Sequence, residues 1–303
     1  MNIEFHYYVT YLLALKAGFD KIASYKIAYS SQFVDDNKTV VSVVDEKMCP
    51  IYRGTPTQIE MISSGYKRDF ILQKHHFLPG DSDVNHLVTT PNSNLSKSIL
   101  QYSLDKGDVY LIGIASHAYF DTWAHQSFIG SNSELNSMPS WNRRLIPNIG
   151  HADAFDDPDS LDSNWIDLRK PKDGIIRNSD RFFEASLHLY SFYHTYITGK
   201  VLKDPTIHIL DLKKIFRFYR SRFRIGRGHM ASKRKKLYNE IANSISGSDI
   251  PIYDERLWMN QALLSVNSSK ISEVKYRWRN SLSFKETDWW KFNEAAKNFQ
   301  NIV

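Results

Sequence analysis

Apolar positions recur at helical spacing along most of the chain. Phe5, Val9, Leu12 and Leu13 place a helix over residues 3–17, with Gly18 as its stop. Asp20 can cap a second helix reaching about Val34, in which Ile22, Tyr25, Ala28 and Tyr29 share a face. From Asp36 to about Pro91 the period fades into short β-rich fragments such as Thr39–Val44, punctuated by Gly54, Pro56, Pro79 and Gly80. Helices resume over 93–104 and 108–128; the second carries Val109 to Ala115, apolar on all sides, and is therefore central. Residues 131–178 form another irregular stretch, rich in Asp, Asn and Pro, and further helices are predicted over 180–198, 206–225, 230–245, 254–264 and 286–300. The expected fold is all-α, a multi-helix bundle with long irregular insertions. Its core spans residues 1–200, and residues 201–303 form a C-terminal helical extension packed into the same domain.

Composition narrows the chemistry. At 303 residues the chain can bury a substantial core, and 14% aromatic residues supply rings to fill space between helices. The single cysteine, Cys49, excludes an intrachain disulfide and a zinc–thiolate cluster, so any metal must be held by nitrogen and oxygen. No apolar run reaches the roughly 20 residues that span a bilayer. The start of the chain lacks a basic leader, and Lys16 interrupts the apolar stretch behind it, so the expected location is cytoplasmic.

The net charge of +6 is unevenly placed. Eleven Lys and Arg residues and no acid lie between Leu212 and Asn239, on an otherwise mildly acidic chain. In a helix over 206–225, Arg217, Arg220 and Arg224, with Arg227 beyond, form a stripe beside apolar Ile209, Leu212, Phe216, Tyr219 and Phe223. This reads either as the solvated face of a docked helix or as a surface for nucleic acid or an acidic membrane. The acidic stretch from His151 to Asp167 shows no EF-hand spacing and reads as a solvated loop.

The sharpest chemical signal is the recurrence of His117, Asp121 and His125 at intervals of four residues. Each step turns about 40° around a helix and advances about 6 Å, so the three share one face. Imidazole and carboxylate suit zinc or manganese, and the spacing favours Asp121 bridging two ions, one near each histidine. A buried polar network is the alternative. His6 in the first helix, Asp35 and Asp36 ending the second, His75 and His76 opening a loop segment, and His151 after Gly150 could join from elsewhere, because metal clusters draw ligands from several helices and loops.

Taken in order, these residues resemble the zinc-dependent phospholipase C and P1-type nuclease superfamily, all-helical phosphodiesterases with three zinc ions. Phe5-His6-Tyr7-Tyr8-Val9-Thr10, the Ala28–Asn37 segment, His76-Phe77-Leu78-Pro79-Gly80 and Ile149-Gly150-His151 more closely resemble a related bacterial family, a domain of unknown function. The resemblance covers residues 1–200. It implies that His6 is the N-terminal-helix ligand, Asp35 or Asp36 the acid that binds metal or orients water, His76 the loop ligand, and His117 with a bridging Asp121 the central pair. His125 and His151 compete for the next position. Three residues separate Asp121 from His125 where the superfamily has five, and its closing His-to-Glu step is reversed here as Glu184 to His188. The chain starts with Met1 rather than the superfamily's ligating N-terminal Trp. One or two ions are therefore expected, zinc foremost with manganese or another divalent ion as substitute. The function expected is a metal-dependent phosphodiesterase acting on phospholipid or nucleic acid. The alternative is a non-catalytic, metal-stabilised helical protein whose basic face binds nucleic acid, an acidic membrane or a protein.

Overall fold

A computed structural model describes residues 1–59, 65–83, 85–138, 148–170, 174–221, 223–266 and 275–303. The fold is mainly helical. The first helix opens as a wide π-helical segment, Glu4–Val9, and continues as α1 (Thr10–Ala17). It stops where Gly18 turns left-handed at φ 108°. The Asp20 side chain accepts from Ala23 N and starts α2 (Lys21–Asp36). After β1 (Ser42–Val44) and β2 (Pro50–Arg53) come α3 (Gly65–His75), α4 (Asn94–Lys106) and α5 (Val109–Ala124). The hairpin β3 (Asn164–Ile166) and β4 (Ile175–Arg177) leads into α6 (Asn178–Thr198). The remainder holds α7 (Leu210–Phe218), α8 (Arg227–Ser246), α9 (Leu257–Ala262), β5 (Leu263–Val266), β6 (Lys275–Trp278) and α10 (Asp288–Ile302).

Helix α5 is the axle. Asp108 caps it through Tyr110 N and Leu111 N, and every residue from Tyr110 to Ala124 is buried. Its apolar circumference is what lets α2, α4, α6 and α10 pack around it. Gly113 permits a close crossing with α2. A Cβ there would lie 2.4 Å from Ile27 O and 2.5 Å from Ser30 Cβ, so only glycine lets α2 run this near.

Four expectations change. Residues 65–75, expected to be irregular, form α3; only Ile71, Leu72 and His75 are buried there, so no apolar stripe marks it. The helix expected over 206–225 ends at Phe218, because its next backbone groups have tertiary partners. Tyr219 O accepts from Arg234 at 2.6 Å, and Ser221 N donates to Asp162 at 2.7 Å. The helix expected over 254–264 gives way to strand after Ala262. That strand belongs to a four-stranded sheet of order β2-β1-β6-β5, in which β1 and β6 pair in parallel across more than two hundred residues. The C-terminal part is thus more than a helical extension. Leu212, Tyr238, Trp258, Trp289 and Phe299 join the same core as Phe5, Tyr29 and Ile112. A smaller cluster of Leu72, Phe77, Phe128, Met138, Ile149, Ala154 and Trp165 lies beneath the irregular segments. Among the described residues no helix is long and apolar enough to cross a membrane.

Candidate metal centre

Five histidines and three aspartates converge where the π-helical segment, α2, the end of α3, α5 and the loop after Ile149 meet. His117 and Asp121 lie one turn apart on α5, and Asp121 Oδ2 is 3.2 Å from His117 Nε2. The tight crossing at Gly113 brings α2 alongside, so Ser31 O accepts from His117 Nδ1 at 2.8 Å. One turn further along α2, Asp35 Oδ1 sits 3.8 Å from His117 Nε2. His76, just past α3, donates Nε2–H to Thr57 O at 3.0 Å and turns Nδ1 to Asp121 Oδ2 (3.3 Å), Asp35 Oδ1 (3.7 Å) and His117 Nε2 (3.1 Å).

In the neutral rings those donor–carbonyl bonds fix both tautomers. With His117 Nδ1 and His76 Nε2 holding the ring protons, the two inward nitrogens expose lone pairs to each other and to two carboxylate oxygens. Burial works to lower the pKa of His117, but Asp121 and Asp35 outweigh this and raise it, so these groups call for positive charge among them, a ring proton or a bound cation. Five of the six edges between the two nitrogens and two oxygens run from 3.1 to 3.8 Å. A tetrahedral ion with bonds of about 2.0–2.1 Å has edges of about 3.3–3.4 Å.

The other oxygens of the same carboxylates face His6. Its Nε2 is 3.2 Å from Asp121 Oδ1 and 4.0 Å from Asp35 Oδ2. The ring stacks on His117 with centroids 3.8 Å apart, and neither buried nitrogen has a hydrogen-bond partner. Asp121 therefore spans two donor groups, but they are His6 on one side and His76 with His117 on the other. It does not span His117 and His125, as the spacing on one helix had suggested. The reason is the tautomer of His125, whose Nδ1 donates to His76 O at 2.7 Å and whose Nε2 turns to Asp159 Oδ1 at 3.1 Å.

His125 and His151 do not compete. His151 donates Nδ1–H to Phe155 O at 2.9 Å and places Nε2 3.2 Å from Asp159 Oδ2. The two rings stack 4.7 Å apart, and Asp159 completes a third group of possible ligands with them. Phe77 stacks on His125 at 4.4 Å, and Gly150 (φ 54°) lies so close to it that a Cβ would come within 2.4 Å of Phe77 Cζ. The Phe after His76 and the Gly before His151 are thus the two sides of one contact.

Asp36 stays outside. Its Oδ2 accepts from Tyr253 OH at 2.7 Å and Gln32 Nε2 at 3.0 Å, because consecutive helical residues point about 100° apart. Glu184 is exposed on α6 and joins none of the three groups. His75 is buried at the end of α3, stacked on Phe299. Sequence reasoning missed Asp159, hidden in an acidic stretch read as solvated. Its position eight residues after His151 was the available signal. That stretch in fact folds inward: Asp153 accepts from Met138 N, Asp162 pairs with Arg234, and Asp167 with Arg169. The basic stripe is divided: Arg217 and Arg220 line one cavity, and Arg227 turns to an acidic pair. Arg217 is exposed on α7, Arg220 bonds Asn164 and Ser179, and Arg227 pairs with Asp156 and Asp157. The side chain of Arg224 lies outside the described residues.

Charge in the cluster is strongly organised. Burial works to raise the pKa of Asp121 and of Asp159. Facing imidazoles and the α-amino group of Met1 outweigh it and hold both well below the usual carboxylate value. Burial raises Asp35, with His117 and His76 opposing. It also keeps His6 and His125 below the ordinary imidazole value, hence neutral and able to ligate. The Met1 amino group, buried against Asp121 and Asp159, is pushed up to about 10 by those carboxylates against the cost of its burial.

A buried clamp holds two of these segments. Arg234 on α8 bonds Glu4 through Nε (2.6 Å) and Nη2 (2.8 Å), and Asp162 through Nη1 (3.0 Å) and Nη2 (3.1 Å). Glu4 lies two residues before His6 and Asp162 three after Asp159. Beside the cluster opens a cavity of about 690 Å³, with Ile59, Leu72, Phe77, Ile149 and Phe155 as its apolar wall and Lys38 at its rim. Asp35, Asp121 and Asp159 line it, Asp35 and Asp159 being the more exposed at 26% and 25%.

The model of a family described as "Family of unknown function (DUF6765)" matches residues 1–303. No curated protein matches the chain, and no solved structure does.

Proposed function

The chain belongs to that family of unknown function, and we propose that it is a metal-dependent hydrolase of phosphate diesters. One observation carries the reading: His76 Nδ1 and His117 Nε2, 3.1 Å apart, both turn towards the carboxylates of Asp35 and Asp121 while the other nitrogen of each ring bonds a backbone carbonyl. Two nitrogens and two carboxylate oxygens thus gather around one point, as the ligands of an ion do.

The donor set suits a pair of divalent ions sharing Asp35 and Asp121, one beside His76 and His117 and one beside His6. A further position lies at His125, His151 and Asp159. Zinc fits these nitrogen and oxygen donors, and manganese is the natural substitute. When bound, such ions polarise the phosphate ester and make water acidic enough to attack near neutral pH. The chain's own residues do the rest. Asp35 faces the cavity and orients the attacking water, whose proton passes to solvent. The water oxygen forms the new P–O bond, the bond to the leaving oxygen breaks, and that oxygen takes a proton from solvent. Lys38 at the rim attracts a non-bridging phosphate oxygen, and the apolar wall receives an organic substituent, as phospholipid and nucleic acid both carry. A closed site with every donor engaged would favour a structural metal; an open cavity of this size favours catalysis.

The test is hydrolysis of a bis-aryl phosphate by protein loaded with zinc or manganese, alongside metal analysis and an Asp121→Ala variant. Wild type should retain metal and hydrolyse the ester, and the variant should fall to background. Equal inactivity of both across several divalent metals sinks the proposal.

A further inference from the structure

We propose that the face formed by the β3–β4 hairpin and the end of α7 docks on an anionic lipid bilayer. The hairpin register pairs Asn164 with Arg177 and Ile166 with Ile175, and all four are exposed while Trp165 between them is buried. Strand alternation therefore sets two isoleucines and an arginine on one outer face. Arg220 fastens this hairpin to the chain leaving α7, through Asn164 Oδ1 at 3.1 Å and Ser179 Oγ at 2.9 Å. Between them lies a cavity of about 560 Å³ into which Arg177, Lys213, Arg217 and Arg220 converge, with Asp180 as the one carboxylate among its described lining residues. Phe218, beside Arg217, and Phe223 and Ile225 further along the chain stand 71%, 76% and 100% exposed.

Each half of this surface is unfavourable alone. Four cations around one cavity repel each other, and bare phenylalanine and isoleucine side chains order water around them. An anionic bilayer satisfies both at once. Its phosphate headgroups meet the cations, and the apolar side chains pass to the boundary of the acyl region. A nucleic acid meets the cations equally well and has Phe218 and Phe223 to stack on, but it leaves the aliphatic Ile166, Ile175 and Ile225 in water. The aliphatic residues therefore favour lipid. The docking stands or falls independently of the metal centre, since none of these residues lines it.

Cosedimentation with vesicles tests this on the full chain, using phosphatidylcholine alone and phosphatidylcholine mixed with phosphatidylserine, at low and at physiological salt. Wild type should bind the mixed vesicles and not the neutral ones, less at higher salt. Phe223→Ser with Ile225→Ser should weaken binding at least about tenfold, and Arg177→Glu with Arg217→Glu should do the same. All four side chains are exposed, so circular dichroism and the melting temperature should match wild type. Absence of binding to the mixed vesicles overturns the proposal, as does full binding by the apolar double variant. Binding to a single-stranded oligonucleotide that only the charge variant loses, with no vesicle binding, assigns the face to nucleic acid instead.

Discussion

At the scale of single residues, tautomers and backbone conformation decide what each side chain can do. His75 shows the contrast with its neighbour. Its Nδ1 has no partner, and Nε2 accepts from Gln300 Nε2 at 3.2 Å, so the site suits only the neutral ring. Burial first, then His76, His117 and Lys74, hold its pKa well below 6.5. As pH falls through the unfolded value of about 6.5, the unfolded chain takes up a proton that the folded chain refuses, and stability drops by up to about 1.4 kcal/mol per pH unit. Denaturant unfolding of chelated protein between pH 7 and 5.5 should show a shallower slope for His75→Gln than for wild type. Equal slopes would contradict the assignment. Phe155 is the second case, a bulky residue at φ 54° and ψ −131° whose carbonyl must turn to receive His151 Nδ1. Left-handed backbone costs such a residue of order 1 kcal/mol or more. Phe155→Gly should therefore raise unfolding free energy by about 1 kcal/mol while leaving bound metal unchanged.

At the scale of elements, two contacts place the proposed ligands. Gly113 lets α2 approach until Ser31 and Asp35 reach His117. Gly113→Ala should push α2 away, cost about 1–3 kcal/mol, and weaken metal binding at a distance from any ligand. Isothermal titration of metal into the chelated variant checks it; unchanged affinity would show that the crossing does not position the donors. Arg234 works from the other side. Arg234→Met leaves the buried carboxylates of Glu4 and Asp162 without their cation, an expected loss of about 3–5 kcal/mol by chemical denaturation. The π-helical segment belongs here as well: its wide turns bury Glu4, Phe5, His6 and Tyr7 in succession, which serves the clamp and the cluster together.

At the scale of the whole molecule, the proposed ligands come from the first helix, α2, the end of α3, α5 and the loop beyond Ile149, so ions held there would tie distant parts of the chain together. Removing them with a chelator should lower the melting temperature by several degrees, and added zinc or manganese should restore it. A melting temperature indifferent to both treatments would mean that the convergence binds no ion. The core shared by Phe5 and Phe299 predicts one cooperative unfolding transition rather than two.

The sequence by itself determined the helices whose apolar stripes face the core, their caps at Asp20 and Asp108, and named His6, Asp35 or Asp36, His76, His117, Asp121, His125 and His151 as candidates. Local spacing and helix geometry are written in neighbouring residues, and one fully apolar helix carrying ionisable groups already announces a site. Tertiary structure alone decided between Asp35 and Asp36, joined His125 with His151 rather than choosing between them, and drew Asp159 out of an acidic stretch. It also broke the helix after Phe218 and paired β1 with β6. Each of those outcomes rests on a partner far away in the chain: a carbonyl that fixes a tautomer, an arginine that claims a backbone oxygen, a strand that completes a ladder. Periodicity reports which face of an element is buried. It carries no record of what lies against that face.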